Sequence, residues 1–219
     1  MTLPLPKEYP TAVVVNQEPY VALFDDYLSS LEIDTLKVMA RAQFKQALVS
    51  GAAGGVASAG RSGRNCWIKH HANRVVSGLS VRMSKLVGIP LSHAESLQMI
   101  HYEPTQEYAA HFDAWDPETE RGQRCMKKGG QRLVTCLLYL NDVDTGGATG
   151  FPALGFDLAA RRGRMVVFYN CYSGSNKRHP HSLHGGLPVQ RGEKWACNLW
   201  FREGPVQPQP HVKARVKRR

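Results

Sequence analysis

From Glu95 onward the apolar residues recur with a period of two, and this alternation constrains the fold more than any other feature of the chain. Segments 97–102, 108–113, 133–140, 165–170 and 194–202 read as strands, separated by turns rich in Gly, Pro and Asp. Upstream the period is helical. Ser29-x-x-Glu32 has the form of a capping box, and Leu31, Leu36, Met39, Phe44 and Leu48 then follow one helical face towards a stop at Gly51. Val75, Val76, Leu79, Met83, Leu86 and Val87 predict a second helix over 71–87, ended by Gly88 and Pro90. Segments 13–15 and 20–24 have the character of short strands. Two amphipathic helices followed by many short strands predict a mainly β, α+β fold: a sandwich or jelly roll with the N-terminal helices packed outside.

The strand over 108–113 ends in His111-Phe112-Asp113. Side chains alternate between the faces of a strand, so His111 and Asp113 point one way and Phe112 the other. An imidazole and a carboxylate on one face make two thirds of a 2-His-1-carboxylate triad, the set that holds ferrous iron and leaves three positions open. Taken alone the motif is weak, because nine histidines and eighteen acids place some pair at this spacing by chance. A second histidine is needed, and His179, His181 and His184 all lie in reach of the next strands. Adjacent His70 and His71 project in different directions and suit a shared metal less well.

The strand 194–202 carries Lys194, Ala196, Asn198 and Trp200 on one face and Trp195, Cys197, Leu199 and Phe201 on the other. A lysine on so apolar a face needs an anion, and no acid accompanies it there. An anionic ligand supplies the missing charge.

On these residues the chain resembles the prolyl 4-hydroxylase-like branch of the Fe(II)/2-oxoglutarate dioxygenases. The likeness runs through HYEPTQEYAAHFD (101–113), GGQRLVTCLLYLNDVDTGGATGFP (129–152), a histidine, Pro-Val and GEKW, in that order. It covers about half the chain strongly. The resemblance implies a double-stranded β-helix core, with His111, Asp113 and His184 as the iron ligands; position relative to Pro-Val and Lys194 selects His184. It further implies that Lys194 pairs with the distal carboxylate of 2-oxoglutarate, that Tyr102 and Thr149 hydrogen-bond the same group, and that Trp200 lies beside it. Tyr108 and Arg132 match positions associated with the peptide substrate, and ascorbate is a further expected cofactor. The family often has Gly at the position of Thr105, Glu at that of Ala148 and Cys at that of Leu187.

A chain of 219 residues with 42% hydrophobic content suits one domain over 1–204, with a helical part near 25–90, a jelly-roll core near 95–203 and a disordered tail over 205–219. That tail follows GPVQPQP with five cations in its last seven residues, and reads as a solubilising extension. The glycine-rich stretch 51–60 lacks the lysine and Ser/Thr of a phosphate loop and is expected to be a flexible connection. The segment 114–130 is polar and too long for a hairpin, which suggests a lid or a disordered insertion. Five cysteines without a C-x-x-C argue for free thiols, and the absence of apolar spans or a secretory leader points to the cytoplasm, with no membrane partner.

The leading expectation is a hydroxylase of peptidyl proline that turns 2-oxoglutarate into succinate, acting on a proline-containing peptide or protein. Alternatives keep the iron and change the substrate to a free amino acid or another small molecule, or to nucleic acid. The net charge of +10 favours the last of these, but a lysine, rather than arginines, at the co-substrate disfavours it. A cupin-like binding module with a basic tail is the reading without catalysis. There is no G-x-S-x-G, and no Cys-His pair with an orienting third group.

Overall fold

The computed structural model of the chain describes residues 4–47, 49–50, 55–56, 60 and 62–206. Two sheets carry the fold. The larger has eight strands in the order Val13–Gln17, Tyr20–Phe24, Met165–Tyr169, Arg132–Tyr139, Lys194–Arg202, Leu97–Tyr102, Arg64–Ile68 and Lys45–Gln46, with every neighbouring pair antiparallel. The smaller runs Phe156–Leu158, Thr149–Phe151, His184–Gly186, Tyr108–His111. Together they form a double-stranded β-helix, the jelly roll that the alternation predicts.

Alternation along the central strands sorts side chains into two cores. Leu97, Met99, Cys197, Leu199 and Phe201 join Ile33, Leu36, Leu79 and Met83 of the helices in one apolar cluster. Ile100, Tyr102, Ala196 and Leu137 turn the other way, towards Phe151, Phe168 and Val189, in a second cluster. The helices therefore cover one face of the large sheet, and the small sheet faces the other. Between the sheets the packing opens into a cavity.

Helix α1, Ser30–Arg41, starts on the expected capping box: Glu32 N–H donates to Ser29 Oγ at 3.3 Å, and Ser29 N–H to Glu32 Oε2 at 2.9 Å. It ends well before Gly51. Beyond it Phe44 packs on Trp195 and Lys45–Gln46 pairs with the large sheet, so tertiary pairing overrides the helical pattern there. Helix α2, Arg74–Val87, begins three residues later than its periodicity predicts because Asn73 caps it, accepting from Val76 N–H at 2.9 Å; Gly88 closes it at φ 70°.

Two features depart from the sequence expectation. The part near 25–90 is not only helical, since Arg64–Ile68 and Lys45–Gln46 extend one end of the large sheet, whereas the short strands expected over 13–15 and 20–24 are present as Val13–Gln17 and Tyr20–Phe24. The segment 114–130 contains a short helix, α3, Glu120–Met126, capped by Thr119. It is tied down by Gln131, whose side-chain amide both donates to the Trp115 carbonyl and accepts from the Trp115 N–H, each at 2.8 Å. That segment is thus not a disordered insertion. Most of the glycine-rich stretch 51–60 and residues 207–219 of the expected tail lie outside the described residues; Val206, within them, donates its N–H to the Ser92 carbonyl.

Candidate metal centre

His111 and His184 face each other across neighbouring antiparallel strands, in direct register. Asp113 lies two residues beyond His111, and its buried carboxylate reaches between the two rings: Oδ1 is 3.6 Å from His111 Nε2, and Oδ2 is 3.5 Å from His184 Nε2. One ligand atom from each of the three residues lies within 4.8 Å of the others. The histidine tautomers follow from their partners. His111 Nδ1 meets the Ala109 carbonyl at 2.9 Å and His184 Nδ1 the Ser182 carbonyl at 2.9 Å. Carbonyls only accept, so both Nδ1 atoms carry hydrogen and both Nε2 lone pairs face the carboxylate.

The charge balance agrees. Burial holds the His184 imidazole down at about 4, so it is neutral near pH 7, as a ligand must be. Burial works to raise the Asp113 carboxyl, but the polar groups around it, the Arg132 guanidinium among them, more than reverse it and keep the group below the ordinary carboxylate range. Two neutral imidazoles and one carboxylate on one side of an open cavity are the donor set that suits ferrous iron.

Tyr108 stands three residues before His111, which on an unbroken strand puts it on the opposite face. The pairing is broken: His184 faces His111 and Gly186 faces Tyr108, so three steps on one strand match two on the other. This bulge turns Tyr108 to the metal side. Gly185 is what the bulge closes on, because a Cβ there would meet the Tyr108 carbonyl oxygen at 2.9 Å and Ala110 N at 3.0 Å.

Lys194 lines the same cavity, which has a volume of about 690 Å³. Only 2% of it is exposed, and burial brings its ammonium down to about 7. The face of the Tyr139 ring lies 5.4 Å from Nζ, and Tyr139 donates its hydroxyl to Thr149 Oγ1 at 2.7 Å. Tyr102 sits opposite Lys194 in register, its ring laid over Gly63, where a Cβ would come within 2.4 Å. Lys194, Tyr102 and Thr149 thus form one end of the cavity, and the triad lines another part of it.

Arg132 and Trp200 form a second wall. The Arg132 guanidinium binds Glu95 through two bonds of 2.6 and 2.8 Å and lies 3.8 Å over the Trp200 ring. Arg202 shares the same Glu95 carboxylate at 2.8 Å. Burial works to raise that carboxyl, and the two guanidiniums override it and hold it low.

Residues 97–202 match the model of the 2OG-Fe(II) oxygenase superfamily. A putative prolyl 4-hydroxylase of Acanthamoeba polyphaga mimivirus is 38% identical over 65% of the chain and 59% of that relative. Prolyl 4-hydroxylase 5 of Arabidopsis thaliana is 30% identical over 86% of the chain and 70% of its own length. The chain belongs to the prolyl 4-hydroxylase-like 2OG-Fe(II) oxygenases. Among solved oxygenases of this kind, the viral collagen prolyl hydroxylase vCPH of Paramecium Bursaria Chlorella virus-1, in its 2OG complex, superposes with a TM-score of 0.66 at 26% identity, covering 85% of this chain and 96% of that one. The chain spans 59% of the mimivirus relative and 35% of the human prolyl 4-hydroxylase subunit alpha-1, which it also matches.

In this chain His111, Asp113, His184, Lys194, Tyr102, Thr149, Trp200, Tyr108 and Arg132 all line one cavity. Two of them also have protein partners that the sequence did not show. Trp200 donates its indole N–H to Asp113 Oδ2 at 2.8 Å, and so touches the metal ligand itself; Arg132 is already bound to Glu95. The other candidate histidines stay out of the cluster: His179 accepts from the His181 N–H, His181 and His71 are exposed, and His70 is bonded to the Glu95 carbonyl. Sequence reasoning missed Thr135, Asn170, Glu95 and Trp67. A lone threonine in the apolar run RLVTCLLY was a signal for the first, since a polar residue inside a buried strand needs a partner.

Proposed function

We propose that this chain is an Fe(II)- and 2-oxoglutarate-dependent dioxygenase that hydroxylates a prolyl residue within a peptide. The observation that carries the reading is one cavity with the His111–Asp113–His184 triad and the buried Lys194 in its lining. With the iron bound, 2-oxoglutarate and dioxygen become succinate, carbon dioxide and a hydroxyl group on the substrate carbon. The protein holds and aims. His111 and His184 offer Nε2, Asp113 a carboxylate oxygen, and Lys194 the counter-charge for the far carboxylate of the diacid. Binding returns to the lysine the partner that its burial removes, and a hydroxyl from Thr149 adds direction.

The substrate reading rests on room and on aromatic surface. A cavity of about 690 Å³ exceeds what a five-carbon diacid fills. Its lining includes Tyr108, stacked on the ligand His111, and Trp67, 46% exposed with its ring 6.0 Å from that of Trp200. Extended proline-rich segments dock on aromatic walls of this kind at low entropic cost. The mimivirus and Arabidopsis relatives carry prolyl 4-hydroxylase in their names. Ascorbate as the reductant that keeps the iron ferrous, and a cytoplasmic setting suited to five free cysteines, belong to the same reading.

The experiment is succinate formation from 2-oxoglutarate with and without a panel of proline-containing peptides. A peptide that stimulates turnover and gains one oxygen on a prolyl ring is the expected result. Efficient coupling to free amino acids, with no response to any peptide, would replace the substrate.

A further inference from the structure

The two histidines do not by themselves decide which oxygen of Asp113 meets the metal. Oδ1 lies 3.6 Å from one imidazole nitrogen and Oδ2 3.5 Å from the other, so a carboxylate placed there has the option of binding through both. That choice matters to this chemistry. Three protein donors leave three positions open; a second carboxylate oxygen takes one of them, and a chelating diacid then leaves none for dioxygen.

The surroundings of Asp113 are lopsided. Thr135 Oγ1 donates to Oδ2 at 2.8 Å, and Trp200 Nε1 donates to the same oxygen at 2.8 Å. Nothing within hydrogen-bond reach donates to Oδ1 among the described residues; Arg132 Nη1 stands 4.0 Å away. The threonine proton has its direction set from behind. Asn170, wholly buried, places Nδ2 2.9 Å from Thr135 Oγ1. An amide N–H only donates, so the hydroxyl accepts from Asn170 and sends its own proton to Asp113. With the amide turned over, one of the two short contacts on Thr135 would set acceptor against acceptor. The fold keeps this orientation although it leaves Asn170 Oδ1 buried without a partner among the described residues.

We propose that Thr135, Asn170 and Trp200 are positioning residues that hold Asp113 as a one-oxygen ligand. Two donors saturate Oδ2, Oδ1 alone is left for the metal, and one more position stays open. The proposal rests on the metal-site reading and not on the identity of the substrate.

The test uses the whole chain with Mn(II) as the probe and no organic ligand, and reads exchangeable water on the ion by water-proton relaxation. In Thr135→Val/Trp200→Phe, which keeps the volume and the ring but removes both donors, the inner-sphere relaxivity of the bound ion is expected to fall by about a third, one open position in three. Mn(II) must still bind. Thr135→Val alone is expected to give part of that fall, and Thr135→Ser, which restores the hydroxyl, none. Unchanged relaxivity in the double variant, or in both Thr135→Val and Trp200→Phe if the double variant does not fold, would overturn the proposal. Failure of the wild-type protein to bind Mn(II) would instead sink the metal site.

Discussion

The ring of Tyr108 lies on the imidazole of His111, with centroids 3.7 Å apart and planes within 21°. The contact exists because the strand carries one extra residue there, and the extra residue fits because its neighbour across the ladder is Gly185. Gly185→Ala is therefore expected to push the two ligand strands apart while leaving the fold intact. Metal affinity should drop by about 10- to 100-fold, the range seen when the support of a ligand is lost. Titration with Mn(II) checks this, and an unaltered affinity would separate the bulge from the metal site.

How much of this was legible in the sequence depended on whether a rule of alternation applied. Strand 97–102 and strand 194–202 emerged with the expected bounds, and the faces assigned to Lys194 and Trp195 were correct, because buried antiparallel strands obey period two. His111 stands on its strand as expected, but the strand ends there instead of running to 113, so Asp113 reaches the site from just beyond it and not by alternation. Tyr108 did not obey the rule either, since a bulge breaks it and nothing local in YAAH announces one. Helix α3 was missed because a short polar turn held by tertiary contacts from Gln131 and Arg202 has no periodic signature. Glu95, Thr135 and Asn170 were invisible as a set: their roles come from partners that lie far off in sequence.

Lys194 should trade stability against binding. Burial brings its ammonium down to about 7 from an ordinary 10.5, so between those values the unfolded chain holds the proton more tightly and stability rises with pH. Below about 7 the metal-free protein bears the full cost of the buried charge. Lys194→Met is expected to stabilise the metal-free protein there by roughly 3 to 5 kcal/mol, with the gain fading towards pH 10. The same variant should lose 2-oxoglutarate affinity by roughly 2 to 5 kcal/mol. Denaturant melts across pH, paired with calorimetric titration of the diacid, measure both. A destabilised variant with normal affinity would remove Lys194 from the site.

The third ligand is open to direct test. His184→Ala is expected to abolish tight metal binding, whereas His181→Ala, at an exposed position, should bind like the wild type. The reverse pattern would move the metal.

Trp67 offers its indole at the cavity mouth without touching the triad. Trp67→Ala should raise the apparent KM for a stimulating peptide by about tenfold, the loss of one aromatic anchor, and leave 2-oxoglutarate and metal affinities unchanged. Steady-state kinetics with each reactant varied in turn distinguish the two. Equal losses for peptide and diacid would mark the residue as structural.

Asp113 and the Trp200 that holds it stand 87 residues apart in the chain. Such a centre has no local precursor: His111 and His184 meet only when two strands far apart in the chain have paired, and Trp200 of the large sheet reaches Asp113 only when the two sheets have closed, after most of the loop entropy has been spent. The ion is thus a latecomer to folding. Saturating Mn(II) at about a thousandfold its dissociation constant should add close to 4 kcal/mol to native stability. Nearly all of that should appear as slower unfolding, with the refolding limb of the chevron hardly moved. The metal acts as a bolt on a finished door, so starving the protein of iron should shorten its lifetime without spoiling its assembly.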